Sequence, residues 1–275
     1  MNRLRIWCLT PAGALLGGLF LIPLGITLAY SLMTRGPYGG VFSPFTWENY
    51  SRLADPLYAA ILWRSALYAV TATTICLFMG FPLALFIARS GRRRNLYLSL
   101  VIVPFWTSFL VRTYAWMFLL RDTGLINSML LAAGVIHQPL TLLYTPFAVI
   151  LGLVYGYLPF MVLPIFATLE RLDKSLVEAS ADLGAAPRAT LRHVIIPLAR
   201  PGIMAGSILV FISSLGAYLT PDLLGGGKTI MIGNLVQNQF TSARDWPFGA
   251  ALSLILMLVV MGMLLPLRRQ SGGML

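Results

Sequence analysis

The chain has 275 residues, of which 58% belong to the set AVILMFWYC and only 11% are charged. Soluble domains are about 45–50% apolar and about 25% charged, and at a mean hydropathy of +0.80 these few charges could not cover a water-soluble body of this size. The net charge is +11, from 20 Lys+Arg against 9 Asp+Glu, yet no separate basic segment exists to hold nucleic acid, and Cys8 and Cys76 alone make no disulfide scaffold.

An integral membrane protein is the class that remains. A spanning helix needs about 20 mostly apolar residues. Stretches at about 8–33, 65–88, 96–120, 143–168, 203–219 and 248–267 meet that length. Runs such as Leu254-Ile255-Leu256-Met257-Leu258-Val259-Val260 are apolar throughout. That suits helices, since barrel strands alternate in polarity over about 10 residues.

Arg3 and Arg5 precede the first stretch, as in a secretory leader. Its apolar run of about 25 residues exceeds the 7–15 of a leader core, so it reads as a retained anchor. The connection 34–64 holds Pro37, Gly39, Gly40, Pro44 and Trp47. The third stretch carries Arg112 in its outer half. The connection 121–141 contains an apolar run, 126–135, that suits a short interfacial helix. Pro159 and Pro164 are expected to kink the fourth stretch. The pairs Gly13/Gly17, Gly152/Gly156 and Gly202/Gly206 have the GxxxG spacing of close helix packing.

The loop 169–201 is polar but patterned. Asp173 can cap a helix starting at Lys174. Leu176, Ala179 and Leu183 fall on one face of it. Gly184 suits the residue that ends it, and Pro187 the first position of a second short helix ending before Pro197. Glu178, Asp182, Arg188 and Arg192 would lie on the exposed face. Two readings stand: a docking elbow, or an ordinary amphipathic surface.

Farther on, Gly225-Gly226-Gly227-Lys228-Thr229 looks like the end of a P-loop. The glycine needed five residues before its last glycine is Asp222, and no strand is expected before it. A simple turn after the fifth stretch is expected, with no nucleotide site. His137 and His193 are isolated and form no metal or catalytic cluster.

The distribution of Lys and Arg sets orientation. With the N-terminus inside, thirteen lie inside and six outside, and Arg112 lies within a span. Net charge is then +9 inside, +1 outside and +1 within. Six helices with both termini inside is the consistent solution.

Glu178-Ala179-Ser180-Ala181-Asp182-Leu183-Gly184, nine residues, then Val194-Ile195-Ile196-Pro197 resembles the EAA motif of permease subunits of type I ABC importers. Ser180, Val194 and Ile196 depart from the usual Ala, Ile and Leu. Further segments are similar to the spermidine/putrescine permease branch. They include Val103-Pro104-Phe105-Trp106-Thr107, Arg112-Thr113-Tyr114, Gly152-Leu153-Val154-Tyr155, Leu158-Pro159-Phe160-Met161, Asp222-Leu223-Leu224-Gly225-Gly226 and Arg244-Asp245-Trp246-Pro247-Phe248-Gly249.

The resemblance implies an all-α membrane protein of six transmembrane helices. It would be one transmembrane domain over 1–275, with 169–201 as the cytoplasmic coupling loop, in a bacterial inner membrane. It implies a second permease subunit, two ATPase subunits that carry ATP and Mg, and an extracytoplasmic solute-binding protein. No cofactor is expected in this chain, and no catalytic residue. The coupling residues would be Glu178, Ala179, Asp182, Leu183, Gly184, Arg188 and Pro197. Glu178 would pair with a basic group on the ATPase, and Gly184 would let the two backbones approach.

The substrate implied is a polyamine, spermidine or putrescine. An opine or an amino-acid-like amine is the alternative within the class. A polyamine path needs acceptors for ammonium groups and aromatic faces. Candidates at the outer ends of the spans are Trp106, Tyr114, Tyr155, Tyr157, Tyr218 and Asp222, and packing or interfacial roles stand beside each. Arg112 reads either as a pathway residue or as a structural arginine bonded to carbonyls or reaching outward. An ion-coupled secondary transporter would favour acids inside spans, and none is seen. A membrane enzyme would need a catalytic cluster, and none is seen.

Overall fold

The computed structural model describes residues 2–271. The side chains of Arg3, Arg5, Cys8, Lys174, Arg268 and Arg269 lie outside the described residues. In chain order the elements are α1 (Asn2–Ser31), β1 (Met33–Arg35), β2 (Val41–Phe45), α2 (Glu48–Arg52), α3 (Pro56–Arg89), α4 (Arg94–Ile102) and α5 (Phe109–Leu120). Then come α6 (Leu125–Ala132), α7 (Pro146–Glu170), α8 (Lys174–Asp182), α9 (Pro187–Thr190), α10 (Ile196–Leu215), α11 (Leu219–Gly225), α12 (Ile232–Phe240) and α13 (Trp246–Ser271). Five helices are long and apolar enough to cross a membrane, and a sixth span results if the bent pair 91–106 and 109–132 counts as one.

Start signals explain the long helices. Asp55 Oδ1 accepts from the Leu57 N–H (2.8 Å), with Pro56 opening α3. Thr145 caps α7 by accepting from Ala148, again with a proline next in line. Asp245 Oδ1 accepts from the Phe248 N–H (3.2 Å) at the start of α13. These are side-chain acceptors for helix-end donors, followed by residues that lack or do not need an N–H.

The chain forms two compact units, Met1–Ala60 with Leu235–Leu275, and Ile61–Asn234. In the first, α1 packs along α13. The β1–β2 hairpin follows α1, and the Asn49 side chain donates to the carbonyls of Ser31 and Met33. Asp245, only 2% exposed, receives Arg52 Nη1 at 2.9 Å, and the same guanidinium lies 4.1 Å from the Phe248 ring centroid.

In the second unit α7 is central. Leu153, Met161, Val162 and Ile165 are fully buried, and α10 packs along it. Gly202 and Gly206 make that approach possible. A Cβ on Gly202 would lie 2.6 Å from the Pro164 carbonyl oxygen, and one on Gly206 2.9 Å from Met161 Sδ. Gly152 and Gly156 do the same toward Leu224 and Phe109. The GxxxG expectation holds at those two pairs. At Gly13/Gly17 nothing lies within 4 Å of an added Cβ among the described residues.

Several boundaries differ from the sequence reading. The helix that carries the second stretch begins at Pro56, ahead of 65, because Asp55-Pro56 is the start signal. Arg64, counted in the outer loop, therefore lies inside α3. The third span is not continuous over 96–120. It breaks at Thr107–Ser108, both extended, with an 88° bend. Pro104 has no N–H to give, and the Thr107 hydroxyl donates back to its carbonyl (2.7 Å), so the turn closes on itself. The helix that carries the fifth stretch ends at Leu215, short of 219. The second loop helix does not stop before Pro197. It runs through a π-helical turn, Leu191–Ile195, into α10. Pro197 falls in the first turn of α10, where the change of register leaves no N–H to lose. A short helix is present in the run 126–135, as α6. The hairpin, α11 and α12 were not expected from periodicity.

Candidate functional site

The first locus is the elbow built by α8 and α9. The Ser175 backbone N–H donates to Asp173 Oδ1 (2.9 Å), which caps α8 and holds the Asp173 carboxyl below the usual carboxylate range. Gly184 ends α8 with φ +76°, and the Gly184 N–H donates to the Ala181 carbonyl (2.8 Å). An added Cβ there meets nothing within 4 Å. Within this chain Gly184 is needed for its left-handed backbone and not for a close approach.

Leu176, Ala179 and Leu183 are exposed, Leu183 to 88%. Glu178, Asp182, Arg188 and Arg192 are exposed beside them. The expected ridge of apolar residues flanked by charges is therefore open on the surface. Beneath it a cavity of about 770 Å³ separates α8 and α9 from the C-terminal ends of α3 and α7, and Arg89, Glu178 and Arg188 line it. Arg94 Nη1 meets Glu170 Oε1 at 2.9 Å on the same side.

One elbow contact was missed in the sequence. The hydroxyls of Ser180 and Thr190 lie 2.9 Å apart and tie α8 to α9. Ser180 is the residue that departs from the usual motif alanine, so the departure carries a hydrogen bond. Only the spacing of two hydroxyls across a glycine turn could have signalled it.

The second locus gathers around Arg112, in the first turn of α5. Its guanidinium carbon lies 4.3 Å from the Phe105 ring centroid, 5.6 Å from Phe109 and 6.0 Å from Tyr155. Nε and Nη1 are buried without a hydrogen-bond partner. Arg112 thus fits neither structural expectation, carbonyl bonding or reaching outward, at those two nitrogens.

The rings continue in two short ladders. Trp116 meets Tyr155 edge-on at 5.5 Å, and Tyr155 stacks near Phe105 at 6.0 Å. Phe109, Tyr157 and Phe160 stack in series at 6.2 and 6.1 Å. Tyr155 and Tyr157 lie in the third turn of α7, not at a helix end as expected. They come from mid-helix, well inside α7. Trp106, Tyr114, Tyr218 and Asp222 are exposed. Tyr218 and Asp222 belong to the start of α11, separate from the fifth span. No ring contact or ion pair joins these four to the cluster among the described residues. Phe105, Phe109 and Trp116 were missed, although with Arg112 they follow helical spacing at 105, 109, 112 and 116.

Gly225–Thr229 follows a helix, α11, and not a strand. Gly226 (φ +56°) ends that helix, and the Lys228 N–H donates to the Gly225 carbonyl (3.1 Å). The structural context of a P-loop is missing.

Long apolar helices with an exposed charged elbow define a membrane-spanning transport component. The profile of the family described as "Binding-protein-dependent transport system inner membrane component" matches residues 80–267. The chain belongs to that family and is an inner membrane protein. It is 46% identical over 245 residues to the spermidine/putrescine transport system permease protein PotB of Escherichia coli, covering 89% of each chain. The Haemophilus influenzae protein of the same name is 43% identical, over 85% of this chain and 82% of that one. The inner membrane ABC transporter permease protein YdcU of Escherichia coli is 34% identical, over 88% and 86%. Among solved structures, a bacterial ABC transporter that imports alginate superposes with a TM-score of 0.70 at 16% identity, covering 98% of this chain and 96% of that one. The MetNI methionine ABC transporter gives 0.58 at 17% identity, covering 80% and 98%. At those identities the likeness is one of fold, the transmembrane part of an ABC importer.

Proposed function

We propose that this chain is one of two permease subunits of an ABC importer for a polyamine, spermidine or putrescine. The carrying observation is the 46% identity, over 89% of both chains, to a protein named for that transport. Six spans with both termini in the cytoplasm fit the five long helices, the bent pair and the Lys/Arg distribution. ATP hydrolysis belongs to separate ATPase subunits, and an extracytoplasmic binding protein delivers substrate.

On this reading the α8–α9 elbow docks on the ATPase. The Leu176/Ala179/Leu183 ridge fills a groove there, and Glu178 pairs with a basic group. Asp182, Gly184, Arg188 and Pro197 shape the same surface. Coupling requires the elbow to fit the ATPase differently in its two nucleotide states. The rings on α5 and α7, with Tyr218 and Asp222, offer cation–π and carboxylate contacts to ammonium groups.

The test is reconstitution of the complete complex in vesicles. ATP-dependent uptake of labelled putrescine or spermidine is expected, suppressed by either unlabelled polyamine and not by an opine or an amino-acid-like amine. Uptake of those competitors without polyamine uptake would refute the substrate, and uptake by this chain alone on an ion gradient would refute the class.

A further inference from the structure

We propose that Phe105, Phe109 and Tyr155 form a cage for a substrate ammonium group, and that Arg112 is a built-in cation that occupies it and must be displaced for substrate to enter. This rests on the polyamine reading and deepens it.

Three ring faces lie within 6.0 Å of one cationic centre. That is the distance range over which an aromatic quadrupole attracts a cation, and such cages take ammonium ligands as well as guanidinium. The site therefore suits an alkylammonium by the same physics that now holds Arg112.

The tenant is held loosely. Arg112 is half-buried with two of its nitrogens fully covered, and nitrogens so covered ordinarily sit in an ion pair or a set of hydrogen bonds. Arg112 has no ion pair among the described residues, and Nε and Nη1 have no hydrogen-bond partner. Ring contact is the attraction the structure records for this group. A stem of three methylenes allows it to swing away without moving the backbone.

Two cations cannot share one cage, because they repel at short range. Occupancy is therefore an exchange. An arriving ammonium displaces the guanidinium, and the returning guanidinium displaces the ammonium. A transport site must bind well enough to load and weakly enough to empty, and an internal competitor supplies the second half. The Phe109–Tyr157–Phe160 ladder offers the next ring faces along α7 for a substrate that carries several ammonium groups.

The experiment measures binding of putrescine and of tetramethylammonium to the purified complete complex. Tetramethylammonium probes the cage whatever the transported solute is. Arg112→Gln is expected to lower the Kd of both probes about tenfold, equivalent to about 1.4 kcal/mol, and to slow putrescine release in uptake assays. Arg112→Lys keeps a tenant and is expected to stay within about twofold of the native protein in Kd. Adding Phe105→Leu to Arg112→Gln is expected to cancel the gain.

Unchanged or weaker binding of both probes to Arg112→Gln overturns the proposal, and so does complete loss of substrate binding, which would make Arg112 a direct ligand for an anionic group. If Arg112→Gln does not assemble, Phe105→Leu alone decides. It is expected to weaken both probes several-fold, and unchanged binding overturns the cage. Tighter tetramethylammonium binding without any polyamine transport would sink the polyamine reading and leave the cage standing. Polyamine transport with no change for either probe would do the reverse.

Discussion

Gly184 offers a test in which the backbone and the partner surface can be separated. Its φ of +76° is a left-handed conformation, which costs a non-glycine L-residue about 1–2 kcal/mol. Asn bears less of that cost because its side chain bonds locally. No packing penalty adds to it within the chain, since an added Cβ meets nothing within 4 Å. A β-branched residue is the worst tenant of this region. Relief would require the turn to open and lose the bonds from the Gly184 and Ala185 N–H groups to the Ala181 and Ser180 carbonyls. At about 1.5 kcal/mol the population of docking-competent elbow falls about tenfold, and the apparent affinity for the ATPase falls with it. The assay is ATP-dependent uptake by the reconstituted complex at limiting ATPase subunit, with the amount of inserted permease measured in parallel. Gly184→Val is expected to lose about tenfold, Gly184→Ala less, and Gly184→Asn less than about threefold. Excess ATPase subunit should restore all three. Full uptake by Gly184→Val refutes the backbone argument. Equal losses for Ala and Asn, with no rescue, would show that the partner's backbone leaves no room for any side chain.

Glu178→Lys is expected to leave insertion unchanged and to reduce uptake per ATP hydrolysed by at least about tenfold, as befits loss and reversal of an interfacial charge; parallel uptake and phosphate-release measurements check it. Gly202→Val drives two methyl groups into the Pro164 carbonyl and Thr168, and it should destabilise the α7–α10 packing by about 1–3 kcal/mol in detergent thermal unfolding. Asp245→Ala removes both the cap on Phe248 and the bond to Arg52. Because Arg52 is part-exposed and screened, about 2–3 kcal/mol is expected by the same measurement. The lowered pKa of Asp173 means that its contribution to α8 is present above the ordinary carboxylate value of about 3.9 and is lost as pH falls through its lowered value. Amide exchange in α8 should therefore differ between native protein and Asp173→Ala at pH 7, and the difference should vanish in strong acid.

The parts legible in the sequence are those where one local rule acts alone. Asp173, Gly184 and Pro187 each fix one backbone feature, and each appears where its chemistry places it. The Gly202/Gly206 and Gly152/Gly156 pairs work as expected because facing helices are forced close at α7. Gly13/Gly17 has the same spacing with nothing within 4 Å of an added Cβ, so spacing states a capacity for contact and not the contact itself. The break at Thr107–Ser108 escaped notice because hydropathy is continuous across it, while the bend depends on one missing N–H at Pro104 and one hydroxyl at Thr107. The Ser180–Thr190 bond escaped for another reason: it joins two helices whose relative placement no periodicity records. The ring cluster depends on both kinds of information. Phe109 and Trp116 share α5 with Arg112, but Phe105 stands before the bend and Tyr155 comes from α7, and both meet Arg112 only in three dimensions.

Arg64 and Arg112 both lie inside apolar helices, and both carry buried nitrogens without partners. Their positions differ in kind. At 1.5 Å per residue, the 34-residue α3 is about 51 Å long, well beyond the roughly 30 Å hydrocarbon core. Arg64 is about 12 Å from the start of α3, in a helix with about 20 Å to spare, so its long side chain can turn its head toward that end. Arg112 is half-buried and differently placed. It begins a 12-residue helix behind an 88° bend, with ring faces around its guanidinium carbon. The length of α3 accounts for Arg64 without any function. Arg112 is held by the rings of Phe105, Phe109 and Tyr155, and a cation on three ring faces is the ground on which we propose a cation site there.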